Sequence, residues 1–284
     1  MRQLGLGFCS IGFFLFSNAV SYAQVFTNDA AAREKHFIYE VKQIDEFFER
    51  FNNDSSSFLR EVYKSRHVKF KIDRTKLIKS LFNYDTKSWG DNVVDSFTSA
   101  AVKIKMPTKR DFYGENWYAE ADCKFQYNSS VIDMPIVLRV FTDQFKRSRW
   151  MVVAIKSNAL ASEATLSPII TGEDNTKFIS PVSHTTNFIE LHKAFEDKAN
   201  LADYFDKFFF DRTKSLEFYN AVLNDHIKFL YVKDVKYHFL QVEGWIFCVE
   251  YFRRQSLNSG WLINSLKKAT ADDKEEFKRL LLGE

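Results

Sequence analysis

The spacing of apolar side chains along this chain changes period several times, and each change marks an element. Phe37, Val41, Ile44, Phe48 and Phe51 recur at intervals of three and four, which predicts an amphipathic helix with an aromatic face. Asn52-Asn53-Asp54 and three serines end it. A short helical stretch follows at Phe58, Leu59, Val62 and Tyr63, and Asp73 then stands where its carboxylate can cap a helix carrying Leu77, Ile78, Leu81 and Phe82. Three helices therefore precede any strand. Residues 84–113 read two ways: Val93, Val94, Phe97, Ala100, Ala101 and Ile104 suit a helix, yet Thr98 to Lys105 also suits a strand that stops at Met106-Pro107. From Trp117 the period is two. Cys123, Phe125 and Tyr127 alternate with Asp122, Lys124 and Gln126, so one side of the strand faces a core and the other faces water. Ile136, Leu138 and Val140 alternate in the same way with Val137, Arg139 and Phe141, and Trp150 to Val153 form a third strand of an antiparallel meander.

This order of elements then recurs. The strand-turn-strand unit at residues 136–150 overlays residues 247–261 without a gap, matching Phe141 with Phe252, Gln144 with Gln255, Ser148 with Ser259 and Trp150 with Trp261. Phe188, Leu191 and Phe195 begin a helix. Asp211-Arg212-Thr213-Lys214 repeats the tetrapeptide at 73–76 ahead of Leu216, Tyr219 and Leu223, with Asp211 as the expected second cap. The segment Asp234 to Phe239 matches Asp122 to Tyr127. The offset between matched positions falls from 151 (Phe37 with Phe188) through 138 (Asp73 with Asp211) and 112 (Asp122 with Asp234) to 111 (Trp150 with Trp261), so the matches are collinear and point to internal duplication.

Residues 158–187 have no sustained period and hold Pro168 and Pro181, which marks a linker. The expected organisation is a leader at 1–23, a first α+β domain at 24–157, the linker at 158–187, and a second α+β domain at 188–284. That second domain ends in a helix: Thr270 with Asp273 forms a capping box, Phe277, Leu280 and Leu281 form an apolar stripe, and Glu275 can pair with Arg279. Docking on its own domain is the expected role, and binding a partner is the alternative. The leader rests on Arg2, the apolar run from Leu4 to Val20, and the small residues of Ser21-Tyr22-Ala23 before Gln24. The run is shorter than a roughly 20-residue membrane span, and Cys9 lies too deep in it for lipid attachment. An exported chain, periplasmic or extracellular, with no transmembrane span in its mature part is the expectation.

Composition narrows the partners. Of 284 residues, 45% are hydrophobic and 27% charged, and 30 Phe, 12 Tyr and 5 Trp stand against 9 Gly and 4 Pro, a recipe for aromatic-rich packing with few sharp turns. Forty basic and 37 acidic residues give a net charge of +3, which offers no electrostatic basis for nucleic-acid binding. Cys123 and Cys248, one in each half, read as buried free thiols rather than a disulfide framework.

Helices leading into an antiparallel sheet make an α+β fold, and each half, roughly 33–157 and 187–269, resembles the NTF2-like, or cystatin-like, fold in element order and in its aromatic-rich meander. That resemblance implies two domains, each with N-terminal helices packed on a curved antiparallel sheet, and a pocket between the apolar sheet face and the helices. Tyr127 and Tyr237 with Cys123 would project there. Its members include isomerases and dehydratases as well as binding and scaffold modules, so the fold alone does not choose.

Signatures of catalysis are absent from the sequence. Gly90, Gly114, Gly172, Gly244, Gly260 and Gly283 are too dispersed for a phosphate-cradling loop, and there is no G-x-S-x-G, H-E-x-x-H or paired C-x-x-C. His184 and His192 are not spaced to place two metal ligands on one helix face. Strand alternation sends Asp122, Asp234 and His238 to the wetter face, away from the expected pocket. The tyrosines, Trp150 and Trp261 read as packing anchors. No catalytic, cofactor or metal residue is assigned and no cofactor is expected. The function expected is a non-catalytic exported module that binds a small ligand or an envelope protein, with an NTF2-like enzyme pocket in one half as the alternative.

Overall fold

The computed structural model describes residues 40–53, 58–65, 73–85, 89–102, 114–156, 177–254 and 258–284. The expected leader, Phe37, and the linker up to residue 176 lie outside these.

Among the described residues, four helices precede the first strand: α1 (Ile44–Asn52), α2 (Phe58–Ser65), α3 (Arg74–Ser80) and α4 (Asp91–Val102). Helix α1 buries Ile44, Phe47, Phe48 and Phe51 on one face and stops where Asn53 turns left-handed at φ 57°. It starts later than the spacing suggested, because Val41 is spent on a β-bridge. Asp73 caps α3 as expected, its carboxylate accepting from the Thr75 N–H at 3.0 Å. The two-way reading of residues 84–113 resolves to helix for 91–102, where Val94, Phe97 and Ala101 are buried.

Strands β1 (Trp117–Tyr127), β2 (Ser130–Thr142) and β3 (Ser148–Ile155) form the first meander. Then come 3-10 turns at Ser183–Thr186, Lys198–Tyr204 and Lys207–Asp211, the short helix α5 (Leu191–Glu196), and α6 (Thr213–Leu223). Strands β4 (Ile227–Phe239), β5 (Trp245–Phe252) and β6 (Gly260–Lys268) form the second meander, and α7 (Ala271–Leu282) closes the described chain.

Both meanders belong to one six-stranded antiparallel sheet in the order β3-β2-β1-β4-β5-β6. A three-stranded sheet would leave the long strands β1 and β4 each with a bare edge; pairing them with one another removes both. One hydrophobic cluster accordingly runs through both halves, from Val41 to Ile263. In the β1–β4 register Asp122 lies opposite Asp234.

The outer edges are covered at matching places. On β3 the Trp150 N–H donates to the Ile179 carbonyl at 3.0 Å, and on β6 the Trp261 N–H donates to the Val41 carbonyl at 2.8 Å. Two residues further along each strand, Val152 bridges Phe205 and Ile263 bridges Phe82. Isolated edge-covering segments of this kind leave little backbone open to another chain.

Two expectations need correction here. Residues 177–187 are not linker: Ile179, Ser183 and His184 are buried, because Trp150 needs partners for its amide and for its indole N–H, which donates to the Pro181 carbonyl at 3.0 Å. Asp211 is not a cap either. It closes a 3-10 turn, and the cap position of α6 is Arg212, whose side chain makes no capping bond. The two D-R-T-K segments also stand at different places, one before the Phe82 bridge and one after the Phe205 bridge.

The inner sheet face is an aromatic stack. Trp117 lies on Phe239 with centroids 5.5 Å apart, Phe239 on Phe247 at 4.8 Å, and Phe247 on Phe51 at 5.9 Å. Each such ring contributes about 1.5–3 kcal/mol relative to exposure. The outer face is covered at one end by α7, which carries the full Thr270/Asp273 capping box. Beneath it a second cluster gathers Tyr118, Val137, Val153, Leu240, Ile246 and Leu281, with Phe277 packed against it. Lys274 pins the helix by donating to the carbonyls of Leu240 at 2.7 Å and Val242 at 2.6 Å. The helix thus docks on its own chain, reaching β3 of the other meander.

Candidate functional site

Among the described residues, Tyr127, Tyr237 and Cys123 do not gather around one pocket. Cys123 and Tyr237 are buried at 0% and 1% exposure within the aromatic core. Tyr127 lies opposite Ile227 and Tyr237 opposite Ala119, so the two tyrosines sit at opposite ends of the β1–β4 ladder. Burial raises the Cys123 thiol and the Tyr237 phenol above their ordinary values and pushes the Cys248 thiol up to about 12, so none of them ionises near neutrality. Trp150 and Trp261 are both buried packing anchors, the latter with its ring 4.9 Å from that of Tyr237.

The opposite face is where charge collects. His238, expected on the wetter side, is buried, because α7 lays Phe277 against its ring at 5.6 Å. Its Nε2 lies 2.8 Å from the carboxylate of Glu120, which is itself only 5% exposed. Lys156 donates to the same carboxylate at 2.9 Å, and Lys236, directly across the ladder, stands 3.4 Å away. Burial opposes the charge on Glu120, but the bonds from His238 and Lys156 outweigh it and hold its pKa down to about 2. Burial likewise opposes the charge on Lys236, and Glu120 and Asp122 more than offset it, leaving its pKa above the ordinary value. This cluster is a closed ionic knot under the helix.

Beside it opens a cleft of about 640 Å³ between α7, the outer face of β1–β3 and the 3-10 turn Lys207–Asp211. Its apolar wall includes Tyr118, Val153, Leu282 and the half-exposed ring of Phe208. Burial pushes the Tyr118 phenol up to about 12, so it enters the cleft as a neutral hydroxyl. Of its charged groups, Arg139 is bound to Asp206 at 2.5 Å, and Asp206 also accepts from the Phe208 N–H at 2.9 Å. Arg212 donates through Nη1 to the Val153 carbonyl at 2.7 Å and through Nε to Glu284 at 3.2 Å, with Nη2 on the same glutamate oxygen. Lys278 and Arg279 project from α7 along the rim. This volume lies in the range of small-molecule sites, and its mix of apolar wall and fixed polar groups is their usual make-up.

His184 and His192 remain apart in role: His184 Nδ1 lies 2.9 Å from the Pro181 carbonyl, and His192 pairs with Glu196 at 3.1 Å. Among the described residues no three His, Cys, Asp or Glu side chains stand close enough to hold a metal ion, and no helix is long and apolar enough to cross a membrane.

The sequence assigns no site role to Glu120, Arg139 or Asp206, and it marks Arg212 only as part of the repeated D-R-T-K segment, which reads as helix capping. One signal was available: Val137 and Val153 are apolar at strand positions facing away from the inner core, which implies a second cover for the sheet, and the α7 stripe is the complementary surface. Fold and site together define an α+β protein with a six-stranded antiparallel sheet and a cleft on its outer face. No family model, curated protein or solved structure matches this chain.

Proposed function

We propose that this chain is a non-catalytic exported binding module, built by duplication of one α+β unit, whose small ligand enters the cleft between α7 and the outer face of β1–β3. The cleft carries the reading: at about 640 Å³ it has room for a small molecule, whereas the inner face, where the alternative enzyme reading would put its pocket, is filled by Trp117, Tyr237, Phe239 and Phe247. Duplication is supported by the pairing of the matched residues Asp122 and Asp234, and by the edge bonds that the matched Trp150 and Trp261 amides both donate, to an antiparallel segment in one case and a parallel one in the other. Export is supported by the leader pattern at residues 1–23.

A fragment library screened by ¹H–¹⁵N NMR tests the site. Shifts are expected to cluster on Tyr118, Val153, Phe208 and Arg212, with the bound fragments recovered unchanged. Shifts scattered over the surface, or chemical turnover of a bound fragment, would overturn the reading.

A further inference from the structure

The most informative contact in the cleft is the one the chain makes with itself. Arg212 is held from behind by the Val153 carbonyl on Nη1, which leaves Nε and Nη2 as a fork aimed at one oxygen of Glu284. A guanidinium fork with a fixed back is the geometry that recognises a carboxylate. The Arg212 side chain is 17% exposed while that of Glu284 is 43% exposed, so the acceptor is the partner open to solvent. Glu284 follows Gly283, whose φ of 77° ends α7 in a left-handed cap.

From this geometry we infer that Glu284 is a displaceable stand-in for a ligand carboxylate, and that the cleft takes a small monocarboxylate with an apolar body, its carboxylate on Arg212 and its body along Tyr118, Val153 and Leu282. The inference rests on the cleft being the ligand site. Arg139 is already neutralised by the buried Asp206, and Lys278 and Arg279 stand on the rim, so Arg212, anchored from behind by the Val153 carbonyl, is the cation best placed for an exchange. A polyanion is disfavoured, because Glu115, Asp211 and Glu275 also line the cleft and would repel a second negative charge.

Octanoate, octanamide and octylamine, titrated by calorimetry and ¹H–¹⁵N NMR into the wild type, Glu284→Gln and Arg212→Gln, decide the matter. Octanoate is expected to bind E284Q about tenfold tighter than the wild type, the equivalent of one charge-assisted hydrogen bond no longer competed for. R212Q is expected to lose octanoate, and octanamide to bind wild type and E284Q alike and more weakly. Should R212Q fail to fold by circular dichroism, the E284Q comparison alone decides, since Glu284 is peripheral to the core. Octanamide or octylamine binding the cleft as tightly as octanoate, or E284Q leaving octanoate affinity unchanged, overturns the carboxylate assignment while the cleft stands as a binding site. If none of the three probes moves a cleft resonance, the binding-site reading fails and the carboxylate assignment falls with it.

Discussion

Asp122 and Asp234 face one another across the central β1–β4 pair. They are also the residues that correspond when the two halves of the sequence are aligned, so the position shared by both meanders is the one at which they meet. Burial raises the Asp122 pKa, with Lys236 opposing and Glu120 and Asp234 adding to the rise. A carboxyl with a raised folded pKa penalises folding above its ordinary pKa of 3.8, and the penalty vanishes below it. Asp122→Asn is therefore expected to stabilise the protein at pH 7 by about 0.5 kcal/mol, discounted for partial exposure, and to be neutral at pH 3. Urea denaturation at the two pH values measures this; destabilisation at pH 7 would count against it.

Glu120 works in the opposite sense. Its folded pKa lies near 2 against an ordinary 4.5, so the stability it contributes is complete above pH 4.5 and is lost as the pH falls toward 2. Glu120→Gln strands His238, Lys156 and Lys236 without their shared anion and is expected to cost about 3 kcal/mol at pH 7. The deficit relative to wild type should shrink steadily in denaturation curves taken between pH 4.5 and 2. A deficit independent of pH would assign the loss to packing instead.

Gly260 begins β6 at φ +87°, and a Cβ placed there would sit 2.0 Å from the Val41 carbonyl oxygen. Left-handed backbone alone costs a side chain roughly 1–2 kcal/mol. The clash adds to this because Val41 is the segment covering the β6 edge. Gly260→Ala is expected to lose on the order of 4 kcal/mol and to expose amides around Val41 and Trp261 to hydrogen exchange. A loss under about 1 kcal/mol would mean that the Val41 bridge moves aside freely.

Cys123 and Cys248 are buried free thiols with raised pKa values. Neither is expected to react with iodoacetamide at pH 8 in the native protein, and both should react in 6 M guanidinium. Native labelling of either, read by mass spectrometry, would show that its strand opens.

Most elements were legible along the chain because their periods are local properties: α1 and α6, the alternation of Cys123 and Phe125 in β1, and the capping box at Thr270. Asp73 and Asp211 show the limit. The same four residues cap a helix in one place and close a 3-10 turn in the other, because the flanking Phe205 and Phe209 are drawn into the core and set the backbone there.

The sequence by itself determined the α+β class, the two matched meanders and the inner aromatic face, since each follows from side-chain periods of two or about 3.6 within a continuous segment. The tertiary structure alone decided that the meanders join through β1 and β4 into one sheet, and that α7 crosses to cover the outer face of the other half. Those are contacts between residues a hundred or more positions apart, Glu120 with His238 among them. Strand alternation tells which side a residue faces, but only the packing of a distant helix decides whether that side is wet. The cleft and the Arg212 fork arise from that docking, while the ionic knot beside them comes from the β1–β4 pairing that sets Glu120 against Lys236 and His238.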